Sequence, residues 1–277
     1  MKSQWECVLE NLGEWVGSFT TVTPQGELIE DIPSIISLEG VRDNQAIHLV
    51  LKRFYPLPGS TETYAKEVVW DFSTPPGIGA VYFETGAFSS GGLTATSGVK
   101  FFVEFSLVGI DRRFRTIQQF DANHRLDRVT YVREHRQGTD APERPHLTIP
   151  DLFGRWTGTA ITRFPDDRSP ATNPIESTFT VDETGYQWRE GSESIDLNVI
   201  NERLLQFARG QQSYQLLLLP DSSYSLTPTQ IVPGNPFFIE IGWINQLGQR
   251  QRLVRRYDST GTWHSVTFIT ESNHLER

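Results

Sequence analysis

Few side chains in this sequence have the type and spacing that chemistry demands. His264 precedes Val266 and Phe268 at two-residue steps, so on a strand the three share a face and the imidazole is expected to point inward with its apolar neighbours. An axial haem ligand would need that imidazole held neutral by a second polar group. The other histidines, among them His124, His135, His146 and His274, show no metal-ligand spacing, so haem is disfavoured and no metal site is assigned. Two sets of arginines are more prominent: Arg112, Arg113, Arg115 and Arg128, then Arg250, Arg252, Arg255 and Arg256. Their forked donors suit a propionate or phosphate. The competing use is cross-strand pairing with Glu104 and Glu240, and the recurrence of both charges in both stretches favours it. A third group is aromatic: Phe88, Phe101, Phe105 and Tyr131, then Tyr224, Phe237, Trp243 and Phe268. These either line a cavity for a flat, apolar ligand or fill it. The sequence has no His-Glu-x-x-His and no Gly-x-Ser-x-Gly, and Gly77-Ile78-Gly79 lacks the third glycine of a dinucleotide loop. No catalytic residue is assigned, and the balance falls against an enzyme.

The elements that must position these groups are short strands. β-rich runs at Ile47 to Phe54, Ala65 to Phe72, Val99 to Val108, Phe114 to Phe120 and Arg128 to Arg133 are separated by turn residues such as Pro58-Gly59 and Gly91-Gly92. That pattern predicts an antiparallel sandwich or barrel. Phe101, Val103, Phe105 and Leu107 share one face of a strand, as do Phe237, Ile239, Ile241 and Trp243, with Glu104 and Glu240 opposite. The expected arrangement is an apolar lumen and a polar exterior.

The chain also repeats itself. Gly13-Glu14-Trp15-Val16-Gly17 recurs as Gly154-Arg155-Trp156-Thr157-Gly158, each after a short helical turn. At a nearly constant offset, Phe101-Phe102-Val103-Glu104 recurs as Phe237-Phe238-Ile239-Glu240, Arg115 as Arg252, and Val129 and Tyr131 as Val266 and Phe268. Two units follow, 1–138 and 148–277, joined by a polar, proline-containing linker at 139–147. Trp15 and Trp156 are expected to plug the closed end of each unit, with the glycines relieving crowding there.

The 277 residues carry 25 Lys+Arg against 34 Asp+Glu, a net charge of −9, which argues against a nucleic-acid partner. No apolar run is long enough to span a membrane. The N-terminal residues lack a signal core, and the single cysteine, Cys7, reads as a packed residue of a short helix. These features suggest a cytoplasmic protein.

A Gly-x-Trp after a short helical turn, opening an up-and-down barrel of about eight strands, resembles the lipocalin or calycin superfamily. The whole chain resembles an uncharacterised, mainly cyanobacterial domain-of-unknown-function family made of two calycin-like halves, including the Gly86-Ala87-Phe88-Ser89 run. More distantly it is similar to the phycobiliprotein lyases, single barrels that hold a bilin. The resemblance implies two tandem lipocalin-like antiparallel up-and-down β-barrels. It also implies a late-strand arginine over each motif tryptophan: Arg133 over Trp15, and Arg255 or Arg256 in the second unit, where Thr270 stands at the aligned position. The function expected is non-catalytic binding of a small, largely apolar, pigment-related molecule, a bilin for example. Arg133, His264 and the eight aromatics would line its site. The alternatives are a bilin chaperone or lyase-like chromophore attachment, and a structural or assembly protein with filled barrels and a protein partner.

Overall fold

The computed structural model describes residues 2–166, 168–183, 185–246 and 248–274. A six-residue helix α1 (Gln4–Leu9) comes first, started by a capping box in which Ser3 and Glu6 satisfy each other's backbone amides. It buries Cys7 completely. Among the described residues, the regular elements after it are antiparallel strands apart from one 3-10 turn, Ile149–Leu152. The first half contains β1 (Gly13–Val22), β2 (Leu28–Val41), β3 (Ala46–Pro56), β4 (Thr63–Phe72), β5 (Val81–Tyr82), β6 (Phe88–Gly91), β7 (Phe101–Val108), β8 (Arg112–Phe120) and β9 (Leu126–Arg136). The second contains β10 (Gly154–Arg163), β11 (Ala171–Asp182), β12 (Gly185–Glu190), β13 (Glu193–Asn201), β14 (Leu204–Arg209), β15 (Gln212–Leu219), β16 (Ser223–Pro228), β17 (Phe237–Gln246), β18 (Gln249–Tyr257) and β19 (Trp263–His274).

The chain is all-β in two up-and-down halves, as the strand pattern and the repeat predict. The second half is a closed ten-stranded barrel. The first is a nine-stranded sheet in the order β4-β3-β2-β1-β9-β8-β7-β6-β5. It curls so that first and last strands pair, but a seam stays open between β4 and β5. Strand numbers therefore exceed the expected eight.

The repeated motif works through its backbone. Gly13 and Gly154 take φ of 121° and 117°, a region that favours glycine. Trp15 and Trp156 are buried, and their indole N–H groups donate to the carbonyls of Asn11 (3.0 Å) and Leu152 (2.9 Å). At Gly17 and Gly158 the neighbouring strand passes so close that a methyl would lie 1.9 Å from the carbonyl oxygens of Arg133 and Thr270. Gly158→Ala is expected to cost about 1–3 kcal/mol, as overpacking does, read as a lower urea midpoint. An unchanged midpoint would show that the two strands are not so tightly apposed.

The expected facing of the aromatic strands is reversed. Phe101, Val103, Phe105 and Leu107 do not line a lumen, and neither do Phe237, Ile239, Ile241 and Trp243. They form one core with each other, between the halves. Phe101 meets Phe237 edge-on at 6.1 Å and Tyr257 at 5.3 Å, Phe114 stacks on Trp243 at 6.4 Å, and Phe83 lies 5.4 Å from Phe268. Alternation reports only that one face is buried; a facing sheet satisfies it as well as a lumen does. Polar groups lock this wall in register. Gln118 Nε2 donates to Ser225 Oγ (3.1 Å), Arg112 donates twice to Asp221 Oδ2 (2.9 and 3.2 Å), and Arg255 Nη1 donates to the Gly79 carbonyl (3.0 Å). The connecting segment is stitched down too. Arg144 N donates to Asp221 Oδ1 (2.9 Å), and Leu147 N to the Leu219 carbonyl (3.0 Å).

Candidate functional site

With the apolar faces turned toward each other, the inside of each half receives the charges. In the first half Arg113 Nε donates to Glu134 Oε2 at 2.6 Å, Arg115 Nη2 to Glu104 Oε1 at 2.5 Å, and Arg115 Nη1 lies 3.7 Å from Glu134. In the second half Arg250 Nε donates to Glu271 Oε2 at 2.8 Å. Arg252 grips Glu240 through two bonds of 2.7 and 3.0 Å and reaches Glu271 at 3.2 Å. The two quartets occupy matching positions on β7, β8 and β9 and on β17, β18 and β19. The second is extended. Glu190 Oε2 lies 2.7 Å from Arg252 Nη1, and the Tyr224 hydroxyl donates to Glu240 at 2.7 Å.

Burial alone would lower the Arg252 pKa, but Glu190, Glu240 and Glu271 outweigh it and hold the guanidinium well above its usual value. Burial alone would raise Glu271 and Glu134. Arg252 and Arg250 around the first, and Arg113 and Arg115 around the second, hold both carboxyls below the ordinary value. Glu134 and Glu271 are therefore held in their ionised form by the arginines beside them.

One arginine of each quartet covers a motif tryptophan, and Arg136 adds to the first. Arg113 and Arg136 lie 4.6 and 4.4 Å from the Trp15 ring, and Arg250 lies 4.2 Å from Trp156. This corrects the expected lids. Arg133 is on the outer face, 5.3 Å over Tyr131, bonded to Glu143, Ser18 and Thr20. Arg255 belongs to the wall between the halves. Arg256 faces the lumen, but well away from Trp156.

Above its quartet the second barrel opens into a cavity of about 850 Å³. Trp188, Phe207 and Phe238 supply apolar wall, and Glu240 and Arg252 form the floor. Arg209, paired to Glu193, and Arg256 stand toward the mouth. Arg256 is distinctive. Among the described residues no carboxylate lies within ion-pair distance of it, and its hydrogen bond goes to Thr267 Oγ1 at 3.2 Å. Burial lowers its pKa, although Glu190 and Glu240 act against that at longer range. The first half has a smaller cleft of about 150 Å³ at its seam, reached past Trp70 and Phe72 and floored by Glu104, Arg113 and Arg115.

Of the sequence-derived candidates, Phe88 lines this smaller cleft, stacked on Tyr82 at 4.9 Å, and Tyr224 lies inside the second barrel. Phe101, Phe105, Tyr131, Phe237, Trp243 and Phe268 are in the core between the halves. His264 shares the outward face of Val266 and Phe268 and is solvent-exposed, edge-on to Phe164 at 6.2 Å, so it does not point into a lumen as expected. Sequence reasoning missed Glu134, Glu190 and Glu271, together with Trp188, Phe207 and Phe238. The paired spacing Arg113/Arg115 and Arg250/Arg252 was the available signal, and following the repeat to its end would have added Glu134 and Glu271.

Residues 1–139 match the family model described as domain of unknown function (DUF3598), N-terminal. Residues 143–274 match the C-terminal domain of Biogenesis factor required for ATP synthase 1. A crystal structure of a protein of unknown function from the DUF3598 family of Nostoc punctiforme is similar over 99% of this chain and 100% of that one, with 35% identity and a TM-score of 0.89. A candidate outer membrane protein of Bacteroides fragilis aligns over 96% of this chain and 99% of that one, at 7% identity and a TM-score of 0.25, too loose a superposition to inform the fold. No curated protein matches. Among the described residues no helix is long and apolar enough to cross a membrane.

Proposed function

The chain belongs to the DUF3598 family, and from that premise and the cavity geometry we propose that it is a non-catalytic binding protein whose second barrel holds an amphipathic small molecule. The observation that carries this reading is Arg256, a cation facing a cavity of about 850 Å³ with no carboxylate partner among the described residues. The carboxylates on the cavity floor are committed to Arg252, which leaves Arg256 to receive an acidic group from outside. Trp188, Phe207 and Phe238 offer the flat apolar surface for the rest of the molecule. The ligand is accordingly amphipathic rather than largely apolar, and an open-chain bilin with propionate groups fits this description.

The test is titration with biliverdin, retinoate and oleate, followed by quenching of tryptophan fluorescence. Arg256→Gln is expected to weaken binding about tenfold, the loss of one charge-assisted contact. Micromolar ligands that fail to bind, or that bind the variant equally, would refute the proposal.

A second reading is favoured by one specific finding, the match of residues 143–274 to a domain named for ATP synthase biogenesis. On that reading the protein assists assembly of a multisubunit complex by holding a subunit. Mixing it with purified ATP synthase subunits should give a complex in size-exclusion chromatography. Separate elution of every subunit would remove the idea.

A further inference from the structure

The second half contains a template for something the first half lacks. Both copies are built alike from β6 to β9 and from β16 to β19. Tyr82 of β5 pairs with Phe88 as Leu218 of β15 pairs with Tyr224, so β5 takes the place of β15. Counting from the other side, β4 takes the place of β13. In the second half β14 lies between them, paired to β13 and across its whole length to β15. It turns Leu205 and Phe207 into the barrel. In the first half no strand stands there, and residues 73–80 cross from β4 to β5 without forming one.

β4 therefore ends the sheet with a bare hydrogen-bonding edge. Its pairs all run to β3, and apart from Phe72 its apolar residues are exposed: Val68 by 57%, Val69 by 52% and Trp70 by 49%. A ten-residue strand with such an edge is what native proteins ordinarily cover or blunt.

The inner face of this edge carries a charge signal as well. Arg53 and Lys66 are cross-strand partners at the upper end of the seam. Arg53 lies over Phe19 at 4.2 Å and Lys66 over Tyr55 at 4.8 Å. Neither has a carboxylate within ion-pair distance among the described residues, and Arg53 Nε is buried without a hydrogen-bond acceptor. Two and four residues beyond Lys66, on the same face, come Val68 and Trp70.

We propose that the seam accepts an extended segment of a partner polypeptide as a guest strand in the position of β14, antiparallel to β4. Apolar side chains would alternate inward against Val68 and Trp70, and an acidic side chain nearer the segment's C-terminus would meet Arg53 and Lys66. The edge supplies affinity through main-chain bonds, and the alternate pockets and the two cations supply choice of sequence. This inference does not depend on what the second barrel holds.

The probe is a labelled peptide of about ten residues, one strand length, with Leu and Phe alternating with Thr and one Glu toward its C-terminus. Fluorescence anisotropy should show binding to the intact protein, and hydrogen exchange should show new protection in Thr63–Phe72. Lys66→Glu should weaken binding about tenfold through like-charge repulsion, and a peptide with Lys in place of Glu should recover it. Arg256→Gln should leave peptide binding unchanged, which separates this site from the barrel cavity. Equal binding of a scrambled peptide, or binding without protection of Thr63–Phe72, would overturn the proposal. A dimer of this chain that buries β4 against its own copy would overturn it as well.

Discussion

Replacing Arg252 with alanine is expected to destabilise the protein by about 3–5 kcal/mol, the usual consequence of deleting one partner from a buried ion pair. The reason lies in what is left behind. Arg252 is buried and answers three carboxylates, Glu190, Glu240 and Glu271. Without it Glu240 keeps the Tyr224 hydroxyl and Glu271 keeps Arg250, so negative charge exceeds positive in a confined space. Arg252→Lys should fall between, because an ammonium restores the charge but not the two-pronged grip on Glu240. Urea unfolding followed by tryptophan fluorescence measures both, and a loss below about 1 kcal/mol, the range of exposed pairs, would show that the quartet is solvated.

Acid should act on the same groups. Glu134 and Glu271 have pKa values below their ordinary ones because their arginine partners outweigh burial. Depressed carboxylates contribute stability that is present above their unfolded pKa, about 4.3, and lost as pH falls through the folded value. Wild-type stability should therefore decline below about pH 4.5, and the deficit of Arg252→Ala should narrow over the same range, since a carboxylate robbed of its cation folds more readily protonated. A deficit that widens on acidification would contradict this account.

The second large effect concerns the wall between the halves. Trp243→Ala is expected to cost about 3–5 kcal/mol, typical of an aromatic removed from a full core. Trp243 is fully buried, stacks on Phe114 of the other half and donates its indole N–H to the Asp221 carbonyl at 2.8 Å. Asp221 in turn holds Arg112 of the first half and the Arg144 amide of the connecting segment. The loss should register in both halves at once, as one cooperative transition at a lower denaturant midpoint. Expressed apart, 1–142 and 143–277 should each aggregate or pair, because separation bares Val103, Phe105 and Phe114 on one side and Ile239, Ile241 and Trp243 on the other. Two soluble, monomeric halves would show that the wall is dispensable.

The sequence by itself determined the class of the fold, its duplication and the motif that opens each copy. These rest on short-range facts: two-residue alternation, turn residues, and a glycine pair whose φ and close strand approach are local demands. It also contained both arginine–glutamate pairs, visible as Arg115 with Glu104 and Arg252 with Glu240. Tertiary structure alone decided which side of the strands is inside. Phe101, Phe105, Phe237 and Trp243 alternate identically whether the apolar face meets a lumen or a second sheet, so nothing along the chain distinguishes the two. Once the halves pack through that face, the opposite face closes around Glu104, Arg115, Glu240 and Arg252, and charges that a single barrel would show to water become its lining. The open seam was equally beyond a linear reading, since whether β4 finds a partner depends on where β5 lies in space.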